Sequence, residues 1–200
     1  MLTIHADSRG HALVVKGAWV ADAGQLADLV AAHPQARVRH WPGILTPGLI
    51  NLHGNELLEQ AYHPDPREAD ELGTEPLTGE ALAGLAMDDA RWGASARRAL
   101  QRMLAHGTVR VACEELHNRA VRDALHRSRL AMGRLGRPGG TPALDPYASG
   151  IPVEFTEPRE RHSAARFAVF DVRDEAELAE RGADTCVATV VDGRLVYRRR

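Results

Sequence analysis

The amino-acid sequence predicts an α/β protein, and three observations carry that expectation. Both ends of the chain hold short, β-branched apolar runs. Between residues 49 and 135 strand-like and helix-like patterns alternate as β-α-β-α, which calls for parallel strands joined by right-handed crossovers. The composition is that of an ordinary globular chain, with 200 residues, 44% hydrophobic, 26% charged and a formal net charge of −2. A chain of this size hides roughly 70% of its unfolded surface, yet it falls short of the roughly 250 residues of a complete (β/α)₈ barrel.

The elements follow in order. Residues 1–42 read as short strands, and 11–20 (HALVVKGAWV) has the apolar run and glycine hinge of a hairpin. Residues 25–32 (QLADLVAA) form a short amphipathic helix stopped before Pro34, and 37–41 alternate like an edge strand. Residues 49–53 (LINLH) suit a buried parallel strand. Pro64, Pro66 and Pro76 among acidic residues make 63–77 an exposed loop. Thr78 caps a helix start with Glu80 in the first turn. Leu82, Leu85, Ala86, Ala96, Leu100, Met103 and Leu104 form that helix's apolar stripe, Gly93 weakens its middle and Gly107 stops it.

A strand at 108–113 leads to a second helix at 117–135, with Val121, Ala124, Leu125, Met132 and Leu135 on one face. Glycine and proline make 136–150 a linker or long loop. The tail returns to strands at 167–172, 185–191 and 194–197. A short helix at 174–181 carries Asp174 as cap and Glu177 three residues later. Asp192-Gly193 is a strong hairpin signal. Aromatic residues are only 4%, so Trp19, Trp41 and Trp92 are expected to be packing residues.

Several function classes find no support. The near-neutral charge points to neither nucleic acid nor a membrane surface. Of the 25 basic residues only Lys16 is lysine, a bias that discounts arginine as a functional signal. The arginines on or near the second helix (Arg119, Arg122, Arg127, Arg129, Arg134, Arg137) therefore read as a solvated face, and Arg198 to Arg200 as a solvated end. Cys113 and Cys186 make no disulfide framework. His5, Asp7 and Arg9 interrupt any leader-like apolar run, and no stretch suits a transmembrane helix. The expectation is a cytoplasmic protein with reduced thiols. Gly133 to Gly140 lacks the lysine and preceding strand of a phosphate loop, and no serine sits in a nucleophile elbow.

Segment 45–55 (LTPGLINLHGN) resembles the first barrel strand of the amidohydrolase superfamily, where members read PGLIN-A-H-T-H. Segments 166–172 (RFAVFDV) and 187–197 (VATVVDGRLVY) are similar to that family's C-terminal strands, where ADLVVFD precedes a V-DGR-V hairpin. Residues 11–20 look like the matching N-terminal hairpin, and 99–111, with His106-Gly107-Thr108, like the first barrel helix entering the second strand. The resemblance covers roughly 1–135 and 163–200 and is nearest the imidazolonepropionase-like and aminohydrolase branch. It implies a composite β-sandwich from 1–48 and 163–200, a truncated β-α-β-α barrel remnant at 49–135, and a linker at 136–162.

The family's metal site uses an H-x-H pair on the first strand, two later histidines and a final aspartate, which hold a cation that activates water. Residues two apart on a strand face the same way, so such a pair can share one ion. Here the pair reads His53-Gly-Asn55, and an amide oxygen is a poor zinc ligand. His53 alone is carried over as a metal ligand, because the stretch holding the later ligands is missing. Strand C-terminal ends meet on one face of a parallel sheet, which brings His53, Asn55, Glu56, Cys113, Glu114 and His117 together as a candidate pocket, with Glu59 and His63 nearby. The plainer reading makes Glu56 and Glu114 solvated loop carboxylates, His53 a hydrogen-bonded core histidine and Cys113 a core thiol.

Two functions follow as expectations. One is a non-catalytic, amidohydrolase-like binding or assembly module with no cofactor. The other is a reduced hydrolase of carbon–nitrogen bonds in cyclic amides or amidines, using zinc, iron or manganese at His53. A two-strand remnant leaves open sheet edges, so the expected partner is a second copy (a homodimer) or a larger protein.

Overall fold

A computed structural model describes residues 2–133, 138–157 and 161–199. The first strands, β1 (Leu2–Ala6), β2 (His11–Lys16) and β3 (Trp19–Gln25), are followed by helix α1 (Leu26–Ala32) and strand β4 (Arg37–His40). The β2–β3 hairpin turns at Gly17, whose φ of +60° suits a residue without a side chain. β4 runs parallel to β1 at the edge, giving an outer sheet of order β3-β2-β1-β4. Strand β5 (Ile44–Pro47) leaves that sheet and pairs with β10 (below).

Strand β6 (Leu49–Asn51), fully buried, opens the parallel unit. Helices α2 (Gly54–Glu59), α3 (Ala69–Leu72), α4 (Gly79–Ala83) and α5 (Asp89–Ala105) come next. Strand β7 (Thr108–Ala112), helix α6 (Arg119–Ser128), strand β8 (Ala131–Gly133) and the two-residue strand β9 (Glu154–Phe155) complete it. The tail holds β10 (Phe167–Phe170), α7 (Glu175–Arg181), β11 (Cys186–Val191) and β12 (Arg194–Arg198). The central sheet has order β12-β11-β10-β5, and the parallel sheet has order β8-β7-β6-β9 with β9 antiparallel. The molecule is thus mixed α/β.

β10 and most of β11 are buried on both faces, which explains why they read as apolar runs, while β12 is half-exposed at the edge. Phe167 and Val169 point with Ala188 and Val190 toward Leu13, Val15 and Val20 of the outer sheet. Ala168 and Phe170 point the other way, into a cluster with Ile44, Leu49 and Leu178. Helix α5 wedges between the central and parallel sheets, burying Ala96, Leu100, Met103 and Leu104 against Val109, Val121 and Val191. The Thr189 hydroxyl donates to the Leu104 carbonyl at 2.6 Å, satisfying one of the acceptors left over at the α5 C-terminus. On the outer face, α1 covers Ile4, Ala6, Ala12 and Val14 with Leu29.

His5 is one of the polar groups buried in the sandwich. Trp41 Nε1 donates to His5 Nδ1 at 3.1 Å, and the His5 ring also meets Phe167 edge-on. Burial, helped by Arg39, pushes the His5 pKa down to about 4, so the ring is a neutral acceptor.

Several expectations need correction. Trp41 is buried and Trp92 packs against the core, but Trp19 is 58% exposed on its edge strand. The helix from Thr78 is two helices, broken at 84–88 and not at Gly93. Asp88 caps the second by accepting from Arg91 N, while Thr78 makes no side-chain cap bond. Ala86 is exposed, and Leu82 and Leu85 are half-buried. Segment 63–77 is no open loop, since it carries a 3₁₀ turn and α3, and His63 is buried. The second helix stops at Ser128, where Arg129 turns left-handed at φ +66° and releases a third parallel strand. Met132 therefore lies on β8, 65% exposed, while Leu135 and Arg134 fall outside the described residues. Asp174 caps α7 from its side chain, but Glu177 reaches the Arg173 N–H and not that of the cap residue. Residues 136–137 and Arg200 also lie outside the described set.

Candidate functional site

The C-terminal ends of β6 and β7 are held together by close backbone approach. A side chain at Gly54 would place its Cβ 2.5 Å from the Ala112 carbonyl oxygen, so α2 can start there only on glycine. Asn51 then organises the exit from β6. Its Oδ1 accepts from His53 N at 3.0 Å and its Nδ2 donates to the Ala143 carbonyl at 2.9 Å. His53 is 3% exposed, and its Nε2 donates to the Gly139 carbonyl at 3.1 Å. The segment expected to be a linker or long loop is, in its described part, a loop clamped onto the end of β6. A 3₁₀ turn, Pro146–Ser149, follows, started by Asp145 accepting from Tyr147 N.

Asn55 faces away from His53. Its Oδ1 accepts from Glu114 N at 2.7 Å, tying α2 to the loop after β7. Glu59 accepts from Asn118 N at 2.6 Å, and Asn118 Oδ1 caps α6 through Ala120 N and Val121 N. These contacts frame a cleft of about 730 Å³ lined by Asn55, Glu56, Glu59, Trp92, Cys113, Glu114, Glu115 and His117. A second cavity of about 690 Å³ lies beyond Cys113 and is walled by Leu116, Leu125, Leu130 and Met132.

The structure thus brings together five of the six expected pocket residues: Asn55, Glu56, Cys113, Glu114 and His117. His53 is not among them. It lines a separate crevice beside Pro146 and Ser149, because its ring is consumed by the Gly139 carbonyl. His63 is also elsewhere, with Nε2 donating to the Leu57 carbonyl at 2.8 Å, and burial holds its pKa below the usual histidine range. Trp92, expected as a packing residue, also lines the cleft, and Glu115 and Asn118 join it without having been expected there. Asn118 carried a signal, an N-cap residue directly before the periodic apolar run.

The cleft's chemistry is carboxylate-rich with one aromatic wall. Burial, and then Glu59, push the Cys113 thiol up, so it is a neutral thiol and no nucleophilic thiolate at neutral pH. Among the described residues, one trio of His, Cys, Asp or Glu brings its ligand atoms within 4.8 Å, and it lies outside the cleft at His106, Asp145 and Asp184. Among those residues no helix is long and apolar enough to cross a membrane.

No family model and no curated protein matches the chain. Among solved structures, it is similar to A. niger ochratoxinase at 19% identity and a TM-score of 0.44, over 66% of this chain and 30% of that one. It is also similar to guanine deaminase from Bradyrhizobium japonicum at 19% identity and a TM-score of 0.39, over 58% of this chain and 25% of the other. The chain therefore spans under a third of the length of either protein.

Proposed function

We propose that the chain is a non-catalytic, amidohydrolase-like binding module whose ligand site is the cleft after β6 and β7. One observation carries the reading: both positions of the would-be H-x-H pair are used to hold backbone. His53 donates to Gly139 and Asn55 accepts from Glu114, in different directions. A histidine whose Nε2 proton is committed to a buried carbonyl retains one nitrogen for a metal, and among the described residues His53 belongs to no group of three or more converging His, Cys, Asp or Glu ligands. The cleft's carboxylates at Glu56, Glu59, Glu114 and Glu115, with the Trp92 indole, favour a cationic nitrogen compound. The free edge of β8, with exposed Met132, supports self-association, and a monomeric mass by light scattering removes that part of the reading.

The test is a hydrolysis assay on cyclic amides and amidines, run beside elemental analysis of the protein and its His53→Ala variant. The reading expects no turnover and a metal content unchanged by the variant. Turnover that disappears together with stoichiometric zinc, iron or manganese in His53→Ala overturns it in favour of a carbon–nitrogen hydrolase.

A further inference from the structure

We infer that His106, Asp145 and Asp184 form a divalent-cation site that staples three separate segments of the chain. The site stands apart from the cleft and from the functional reading above. His106 is the residue at the C-terminus of α5, ahead of β7. Asp145 starts the 3₁₀ turn Pro146–Ser149, and Asp184 lies in the 3₁₀ turn Ala183–Thr185 that precedes β11. The cleft is built where β7 ends, whereas this trio gathers where β7 begins.

The geometry is that of a partly preformed site. One nitrogen or oxygen from each residue lies within 4.8 Å of the others. Ligands on a zinc or similar ion, each about 2.1 Å from the metal, sit roughly 3–4 Å apart, so closing the separations by up to about 1–2 Å completes the set. Asp145 is already fixed, with Oδ1 accepting from Tyr147 N at 2.8 Å and Oδ2 from Ala183 N at 3.1 Å. Asp184 is free to make the adjustment, because its side chain is 83% exposed.

The electrostatics point the same way. His106 Nδ1 is a buried atom with Asp184 Oδ1 3.3 Å away, and the Ala183 backbone also stands against the ring. An imidazole nitrogen gathered with two carboxylate oxygens is a set of donor atoms a cation can take. Two carboxylates then face each other with Arg102 as the neighbouring positive charge, and its guanidinium is directed to the Thr74 carbonyl. A divalent ion would neutralise both carboxylates and ligate that nitrogen. One imidazole with two carboxylates is a borderline donor set, suited to zinc or another first-row ion and less so to calcium or magnesium. Three protein ligands leave further positions to water. Because the ligands come from α5, the 138–150 loop and the turn before β11, the ion would join all three and raise stability by mass action.

The experiment uses the full chain without a histidine tag, stripped with a chelator and titrated with Zn²⁺ and Co²⁺ under equilibrium dialysis. The expected result is one ion per chain, a Co²⁺ visible spectrum without a thiolate charge-transfer band, and a higher Tm with Zn²⁺. Asp184→Asn changes an exposed residue and is expected to fold; it should weaken Zn²⁺ binding by ~10-fold or more, as should His106→Ala. Asp28→Asn, an exposed carboxylate elsewhere, should leave binding unchanged. Failure to bind either ion stoichiometrically, or wild-type affinity in Asp184→Asn, overturns the inference whether or not His106→Ala folds.

Discussion

The central sheet and the parallel sheet have four strands each and opposite relations to their surroundings. The central sheet is covered by the outer sheet on one face and by α5 and α7 side chains on the other, and all four residues of β10 are buried. The parallel sheet ends on β8 at one edge, with Met132 65% exposed, and on the two-residue β9 at the other, with Phe155 39% exposed. Their histidines differ in the same sense. His5 is satisfied by a side chain within the sandwich, while His53 and His63 clamp backbone carbonyls around the parallel unit. Both regions have apolar cores, but the parallel unit leaves its edges exposed and adds hydrogen-bonded loops at its strand ends, and those loops carry the cleft.

The sharpest way to break this contrast is Phe170→Ala. Phe170 is fully buried and its ring fills the space beside Gly107, so truncation should cost about 3–5 kcal/mol in urea denaturation. A loss under ~1 kcal/mol would mean that the central sheet does not dominate.

Acid tests a polar member of the sandwich core. His5 titrates near 6.5 when unfolded and near 4 when folded, so the folded state disfavours its protonation. Its contribution is fully present above about 6.5 and fades as pH falls toward 4, by up to on the order of 3 kcal/mol in all. His63 and His106 are shifted in the same direction. Denaturation midpoints measured from pH 7 to 5, above the carboxylate range, should fall, and should fall less steeply in His5→Phe. Parallel slopes in the two proteins would remove His5 from the account.

Within the parallel unit the expected losses are smaller and local. Asn118→Ala removes an acceptor shared by Ala120 N and Val121 N and should destabilise by about 1 kcal/mol. Amide exchange should rise in the first turn of α6 and not in the sandwich. Smallest of all, Met132→Lys at the exposed β8 edge should change monomer stability by less than ~0.5 kcal/mol. It should also abolish any self-association through that edge, read as mass by light scattering.

What the sequence revealed follows from what is local. Asp192 and Gly193 both sit at positive φ, the requirement that makes this dipeptide a turn signal wherever it occurs. The buried strand at Leu49–Asn51 and the helix capped by Asp174 were equally legible. β8 was not, because Met132 and Leu135 continue the helical spacing and nothing in the residue type of Arg129 announces a left-handed turn. The cleft was legible to the extent that strand ends converge. The withdrawal of His53 was hidden, because its partner is a carbonyl 86 residues away in sequence and any residue type supplies one.

The pairing of β5 with β10 has a consequence for how the chain is made. β5 leaves the N-terminal sheet and waits for a strand encoded after the whole parallel unit. During synthesis the inner side of the outer sheet, with Leu13, Val15 and Val20, has nothing to cover it until residues 167–191 are available. The nascent chain must therefore hold an apolar β-surface open while the intervening unit is built, the kind of long-range closure that folds slowly and exposes chains to aggregation. A ribosome stalled before residue 167 should thus display a chaperone-binding species, and one released after β12 should not.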